Sequence, residues 1–395
     1  MAVVTRPRLR PRARLSLNDP RVRAVLAQLV VLALVLAGAA YLIHNTLLNL
    51  ERLGVASGFG FLWTTAGFDI SQTLIPYDRT YTYGRAFLVG LLNTFYVSIF
   101  GIVFATIIGF IIGIARLSSN WLVAKVAAAY IEIIRNVPLL LQLIVWYFVV
   151  LGGLPTARNS ITLGEGVFLN VRGLFVPKPI FLDGFEWVVV ALAVAVIAVI
   201  LLARWARRRF EQTGQPFPTF RVGLAILLLL PLAAYFLAGS PLEFQYPRHT
   251  KFRVTGGLVM LPEFMAMVAG LSIYTAAFIA EIVRAGIEAI PRGQWEAASA
   301  LGLSRAQTLR LVVVPQALRV IIPPQTSQYL NLTKNSSLGV AIGYPDFFNV
   351  AGTINNQTGQ AVEVIAITMA VYLSLSLAIS AFMNWYNRRM ALVER

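Results

Sequence analysis

The stretch IPRGQWEAASALGLSRAQTLRLVVVP, residues 290–315, decides how the rest of the chain is read. Pro291 suits the first position of a helix, where a backbone N–H has no partner to lose. Glu296, Ala297, Ala298 and Ala300 favour helix. Gly302 suits the position just past a helix end, where φ is positive. Ser304 and Gln307 form the S-x-x-Q box that opens a second helix, and Pro315 is the next backbone breaker. These residues predict two short helices around a tight glycine turn. Such a hairpin is a rigid knob suited to docking into a partner.

On both sides of this polar stretch the sequence turns apolar. Hydrophobic residues make up 58% of the 395 and charged residues 13%, against roughly half and a quarter in soluble domains. The mean hydropathy is +0.72. These values exclude a soluble globular enzyme, a disordered chain and an array of charged helical repeats. A spanning helix needs about 20 apolar residues. Eight candidates lie near 25–46, 87–115, 137–152, 185–203, 222–239, 264–283, 320–345 and 362–386. The first is too long for a signal peptide, and no small-residue cleavage site follows it before His44 and Asn45. The fold class expected is an all-α, polytopic helical bundle of the inner membrane, with about eight transmembrane helices.

The net charge of +16 would suggest nucleic acid in a soluble protein. Here it falls between the spans and reads as topology. With the N-terminus inside, the cytoplasmic segments carry 23 Lys and Arg and the outer loops 9, with Lys334 left within a span. That asymmetry places both termini in the cytoplasm. The start, Arg6 to Arg14, anchors the topology and lies where it can meet anionic membrane lipid. Loops 153–184 and 240–262 fall outside, and the residues 290–315 fall inside.

Two spans break the simple pattern. Residues 120–152 are apolar but hold Lys125, Glu132, Arg135 and Pro138. One helix of that length would be about 50 Å long. Pro138 is expected to break it, leaving 121–135 at the cytoplasmic surface or entering obliquely. Residues 320–345 contain Pro323, Pro324, Asn331, Lys334, Asn335, Ser336 and Ser337. A span this polar faces protein or a water-filled path, not lipid.

Much chemistry is missing. None of the four lysines, Lys125, Lys178, Lys251 and Lys334, sits in a P-loop pattern. There is no G-x-S-x-G, no H-E-x-x-H and no cysteine, and His44 and His249 stand far apart. No catalytic or metal residue is assigned, and the chain is read as a transport subunit rather than an enzyme.

Glu296-Ala297-Ala298, Gly302 four residues later and then Val314-Pro315 resemble the EAA loop of ABC importer permeases. Val312 and Val314 stand where that family has Ile and Leu, a mild departure. Arg135-Asn136-Val137-Pro138-Leu139-Leu140-Leu141-Gln142-Leu143, the run Ala277 to Gly286, and Lys334-Asn335-Ser336-Ser337-Leu338 are similar to segments of polar amino acid permeases. Together these cover about 87–152 and 256–390, a type I core of five helices. A first helix and an insert near 153–255 add three more. That plan, with His44 to Asp69 and Tyr83-Gly84-Arg85-Ala86, resembles the first permease subunit of general L-amino acid transport systems.

The resemblance implies a division into 1–86 (basic tail, first helix, periplasmic loop), 87–152, the insert 153–255, and 256–395 with the coupling loop at 284–319. It implies that Glu296, Ala297, Ala298, Gly302 and Pro315 couple this chain to an ATPase. It further implies two ATP-binding subunits that hold ATP and Mg, a second homologous permease, a periplasmic binding protein, and L-amino acids of broad range as substrate. Lys334, Asn335, Ser336 and Ser337 become candidates for the substrate path. Lys334 either attracts a substrate carboxylate, pairs with Glu281 or Glu363, or snorkels to an interface.

Other polar residues have local readings. Asn93 and Thr94 are expected to cap a helix start rather than line the path. Gly109 and Gly113 form a G-x-x-x-G packing motif. Glu281 and Arg284 are spaced for an ion pair on one helix face. A secondary transporter driven by H⁺ or Na⁺ would need acidic relays and internal repeats. A scaffold without transport would have a sealed interior, which residues 320–345 argue against.

Overall fold

A computed structural model describes residues 20–52, 58–250 and 253–390. The arginines at 6–14 lie outside those residues. The chain opens with helix α1 (Pro20–Arg52), then α2 (Tyr83–Arg116), α3 (Trp121–Asn136) and α4 (Leu139–Ile144), which continues as a π-helical stretch Val145–Leu151. Four short strands follow, β1 (Ile161–Thr162), β2 (Phe168–Asn170), β3 (Gly173–Val176) and β4 (Lys178–Phe181). Helices α5 (Phe185–Thr213) and α6 (Thr219–Leu237) form a hairpin, and strands β5 (Leu242–Gln245), β6 (Arg248–His249), β7 (Val254–Thr255) and β8 (Leu258–Met260) return from it. The chain ends with α7 (Pro262–Glu288), α8 (Arg292–Ala300), α9 (Arg305–Thr308), α10 (Val314–Asn335), α11 (Phe347–Thr358) and α12 (Ala361–Met390).

All eight apolar runs coincide with helices. Six helical stretches among the described residues are long and apolar enough to span: Val22–Thr46, Tyr83–Arg116, Phe185–Thr213, Thr219–Leu237, Pro262–Glu288 and Ala361–Tyr386. The pair α3–α4 counts as one more if taken as a bent span. Pro138 breaks it as expected, with a bend of 104°. The freed carbonyls find a partner in Gln142, whose Nε2 donates to Ile134 O and Val137 O at 2.9 Å each. Segment 121–135 packs one face on α7. Ala127, Ala128 and Ile131 are buried, and the Tyr130 hydroxyl donates to Ile273 O of α7 at 2.7 Å.

Helix α10 lacks the apolarity of the others, and only together with the 3₁₀ turn Ser336–Ile342 and the residues after it does this segment follow the bundle from end to end. Ile321 lies against Gly286 near one end of α7, Leu332 lies against Gly101 in the middle of α2, and the Tyr344 hydroxyl donates to Asn93 O near the other end of α2. Helix α7 is the centre of the packing. Its Ile279, Ala280 and Val283 lie so close to Gly109 and Gly113 that a Cβ there would stand 2.6–2.7 Å from α7 atoms. The small-residue motif therefore packs helices, as expected.

Two expectations fail. Segments 153–184 and 240–262 read as irregular loops, but they pair with each other. Strands β1-β2-β3-β8 form one antiparallel sheet, and β4 pairs with β5 and β6 with β7. His249 helps tie them, its Nε2 lying 3.0 Å from Ala157 O. Strands of two to four residues are too short to show a period of two in sequence, and β3–β8 and β4–β5 pair across the whole α5–α6 hairpin. The second failure concerns Asn93 and Thr94. Helix α2 begins ten residues earlier, capped by Thr82. Asn93 and Thr94 are wholly buried and hold the α10–α11 junction instead. Asn93 Nδ2 donates to Gln72 O and Pro345 O, and Thr94 Oγ1 accepts from Phe347 N at 2.9 Å. An Asn93→Leu chain leaves both carbonyls unpaired, so it is expected to lose about 2–3 kcal/mol of stability. Thermal unfolding of the detergent-solubilised protein measures this loss, and an unchanged midpoint would remove Asn93 from the account.

Candidate coupling hairpin and translocation face

Residues 291–308 fold as the predicted hairpin. Pro291 is the N-cap rather than the first helical residue. At the end of α8, Gly302 has φ +73°. Its N–H bonds Ser299 O at 3.0 Å, and Leu303 N–H reaches back to Ala298 O at 3.1 Å. This is the reciprocal end-cap that only a residue tolerant of positive φ allows. Ser304 and Gln307 then make both halves of the capping box. The hairpin has two faces. Ala298, Thr308 and Trp295 turn toward the bundle. Glu296, Ala297 and Gly302 are exposed, and Leu301 stands 80% exposed at the tip.

Pro315 does not end the second helix. Leu309–Val313 is π-helical, with Val314 N–H bonding Leu309 O, and α10 follows with Pro315 in its first turn. A proline in a first helical turn has no intrahelical N–H bond to lose. Helical backbone thus runs from Arg305 to Asn335. Gln316 Nε2 donates to Gln294 Oε1 at 3.2 Å, pinning the hairpin to the base of α10. The hairpin is thus continuous with a helix that reaches the middle of the bundle.

The four polar residues at the end of that helix separate. Ser336 is fully buried and its hydroxyl donates to Thr333 O. Ser337 donates to Lys334 O at 2.8 Å. Lys334 is exposed on the isolated chain and opens onto a groove between α10 and α12. It does not pair as one reading expected. Glu281 is held by Arg284, whose Nε donates to it at 3.1 Å. Glu363 accepts from Gly58 N–H at 2.6 Å. Beyond the sequence reading, Asp346 is buried at the start of α11. It accepts from Asn349 N–H and the Tyr372 hydroxyl, which ties the end of the α10 segment to α12. Asp346 directly follows Pro345, and its spacing from Asn349 is a capping signal the sequence does carry.

Residues 200–392 match the family described as binding-protein-dependent transport system inner membrane components. The general L-amino acid transport system permease protein of Rhizobium johnstonii is 53% identical over 382 residues, covering 97% of this chain and 96% of that one. The chain belongs to the amino-acid ABC transporter permeases. A putative amino-acid ABC transporter permease of Escherichia coli K12 is 51% identical, covering 96% of this chain and 97% of its own. The permease of a glutamate/glutamine/aspartate/asparagine transport system of Rhodobacter capsulatus is 43% identical, covering 97% of each chain. With coverage this complete, the permease shares its first helix and its insert with these relatives. It is an inner-membrane component of binding-protein-dependent import. It is not an enzyme, because ATP hydrolysis belongs to a separate subunit of such transporters. The readings as an ion-driven carrier and as a scaffold fall with the family.

Proposed function

We propose that this permease forms half of the path of an importer for a broad range of L-amino acids and is driven through its exposed hairpin. Glu296, Ala297, Ala298, Gly302 and Pro315 are the coupling residues. Two ATP-binding subunits, which hold ATP and Mg, dock on the hairpin. A second, homologous permease supplies the other half of the path, and a periplasmic binding protein delivers the substrate. The face bearing Lys334, Asn335 and Ser337 turns toward that path; Ser336 supports it from behind. The chain crosses the membrane eight times, with α3–α4 and the α10 segment each counted once, and both termini are cytoplasmic. The charge asymmetry of the loops supports this orientation.

The observation that carries the reading is a pre-formed, capped hairpin continuous with a helix that reaches the middle of the bundle. Nucleotide-driven movement of the ATPases biases that helix between two packed arrangements, one open outward and one inward. The test is reconstitution. The tagged permease, purified gently with its partners, is expected to bring an ATPase and a second permease. In vesicles it should then take up an L-amino acid only with ATP and binding protein, and acidic, basic and apolar L-amino acids should all compete. Purification alone, or uptake driven by an ion gradient without ATP, would refute the importer reading. Competition by one chemical class only would refute the broad range.

A further inference from the structure

Lys334 is a cation near the middle of the spanning helices and makes no ion pair among the described residues. Its depth follows from its neighbours. Leu332, two residues before it, packs on Gly101, which lies near the midpoint of the span Tyr83–Arg116. The α12 residues that share its groove, Thr368 to Ser376, bracket the midpoint of Ala361–Tyr386. An apolar layer about 30 Å thick puts either headgroup region roughly 15 Å away. A lysine side chain reaches roughly 6 Å, so snorkelling does not bring the ammonium to water.

Among the described residues no carboxylate forms an ion pair with Lys334. Their four ion pairs join Asp69 to Arg79, Glu211 to Arg207, and Glu281 and Glu288 to Arg284. Asp346 lies behind Tyr372, engaged with Asn349 N–H and the Tyr372 hydroxyl. The groove itself, about 450 Å³, is walled mainly by Phe348, Met369, Tyr372 and Leu373, with Lys334 and Ser337 at one side. Its walls suit an apolar helix better than a column of water. An ammonium at this depth needs a permanent partner, because a transporter spends part of each cycle without substrate.

We infer that the groove between α10 and α12 receives a transmembrane helix of the second permease, and that this helix carries an aspartate or glutamate at mid-depth that pairs with Lys334. The inference rests on the reading that a second permease completes the path. It narrows the role of Lys334 from substrate contact to contact between the halves, and leaves the path itself beside this seam.

The chain has no cysteine, so a single introduced thiol is a unique handle. Met369→Cys, carrying a thiol-linked benzophenone, is irradiated in membranes holding the complete transporter. Leu228→Cys on α6, which is 58% exposed, is the control. The expected result is an adduct from position 369 to a peptide of the second permease that includes an acidic residue within one helical turn, and only lipid adducts from position 228. Separately, Lys334→Glu should keep the ATPase on the hairpin but lose the second permease by roughly a hundredfold, the scale of an unpaired buried charge. Lys334→Met, which leaves the partner's acid unpaired but free to take up a proton, should weaken the association less than Lys334→Glu does. Three outcomes overturn the inference: no adduct to the second permease from position 369, a Lys334→Glu complex that retains it, or ready reaction of Met369→Cys with a water-soluble maleimide that bound L-amino acid blocks. The last would make the groove part of the path. A wild-type complex with no second permease would overturn the proposed function as well, before any groove variant is read.

Discussion

Gly302→Pro is expected to give a permease that reaches the membrane and purifies without its ATPase, with uptake lost. Gly302 sits at φ +73°, and proline is locked near −65°. Proline also lacks the N–H that bonds Ser299 O, and the turned chain would no longer present Leu303 N–H to Ala298 O. The cost is about 3 kcal/mol or more, concentrated in a turn with little else to hold it. The hairpin would open, and the Leu301 tip would lose its fixed position. Uptake should fall by about a hundredfold or more, since a displaced coupling surface loses docking and transmission together. Gly302→Asn is the matched control. Nothing lies within 4 Å of a Cβ at this position, and asparagine visits positive φ at modest cost. It should keep the ATPase and most of the uptake. The measurement is the amount of ATPase per permease after purification, read beside uptake in vesicles. Full retention by the proline variant would move the coupling contact away from this turn.

Gly113→Leu should have the second large effect, on folding rather than on coupling. A Cβ at Gly113 would stand 2.7 Å from Ala280 O and 2.7 Å from Val283 Cβ, and one at Gly109 would stand 2.6 Å from Ile279 Cγ2. The backbone carbonyl cannot rotate away as a side-chain tip can, so α2 and α7 must separate. Overpacking usually costs about 1–3 kcal/mol, and here it also strips contacts from α7, the most buried of the spanning helices. The expected outcome is a large loss of monodisperse protein on size exclusion, greater for the double Gly109→Leu, Gly113→Leu chain than for either alone. A Gly113→Leu permease with a wild-type elution profile and melting temperature would mean that the two helices do not need this approach.

The features legible in the sequence share a cause: each is set by a few adjacent residues. The Gly302 cap, the Ser304–Gln307 box, the break at Pro138 and the Gly109–Gly113 face all came out as read, because local backbone chemistry and helical spacing decide them. Where local signals misled, a distant partner had overruled them. Pro315 looks like a stop, but a π-helical turn just before it lets the helix pass. Asn93 and Thr94 look like caps, yet the cap they serve is that of α11, some 250 residues on.

The sequence by itself determined that the chain is a membrane bundle, where its apolar helices lie and where the capped hairpin sits, because apolar length and capping patterns act over tens of residues or fewer. Only the tertiary structure decided what Glu363 bonds to and that Lys334 makes no ion pair among the described residues. Glu363 had Lys334 as a possible mate, and packing gave it Gly58 N–H instead, whereas Glu281 took the Arg284 that its own helix spacing offered. Pairing across the bundle depends on how helices are turned against one another, and that rotation is fixed by close contacts such as Gly109 on Ile279 and Leu332 on Gly101. The same packing joined strands of two to four residues from opposite sides of the α5–α6 hairpin, segments too short to carry a pattern until the bundle brings them together.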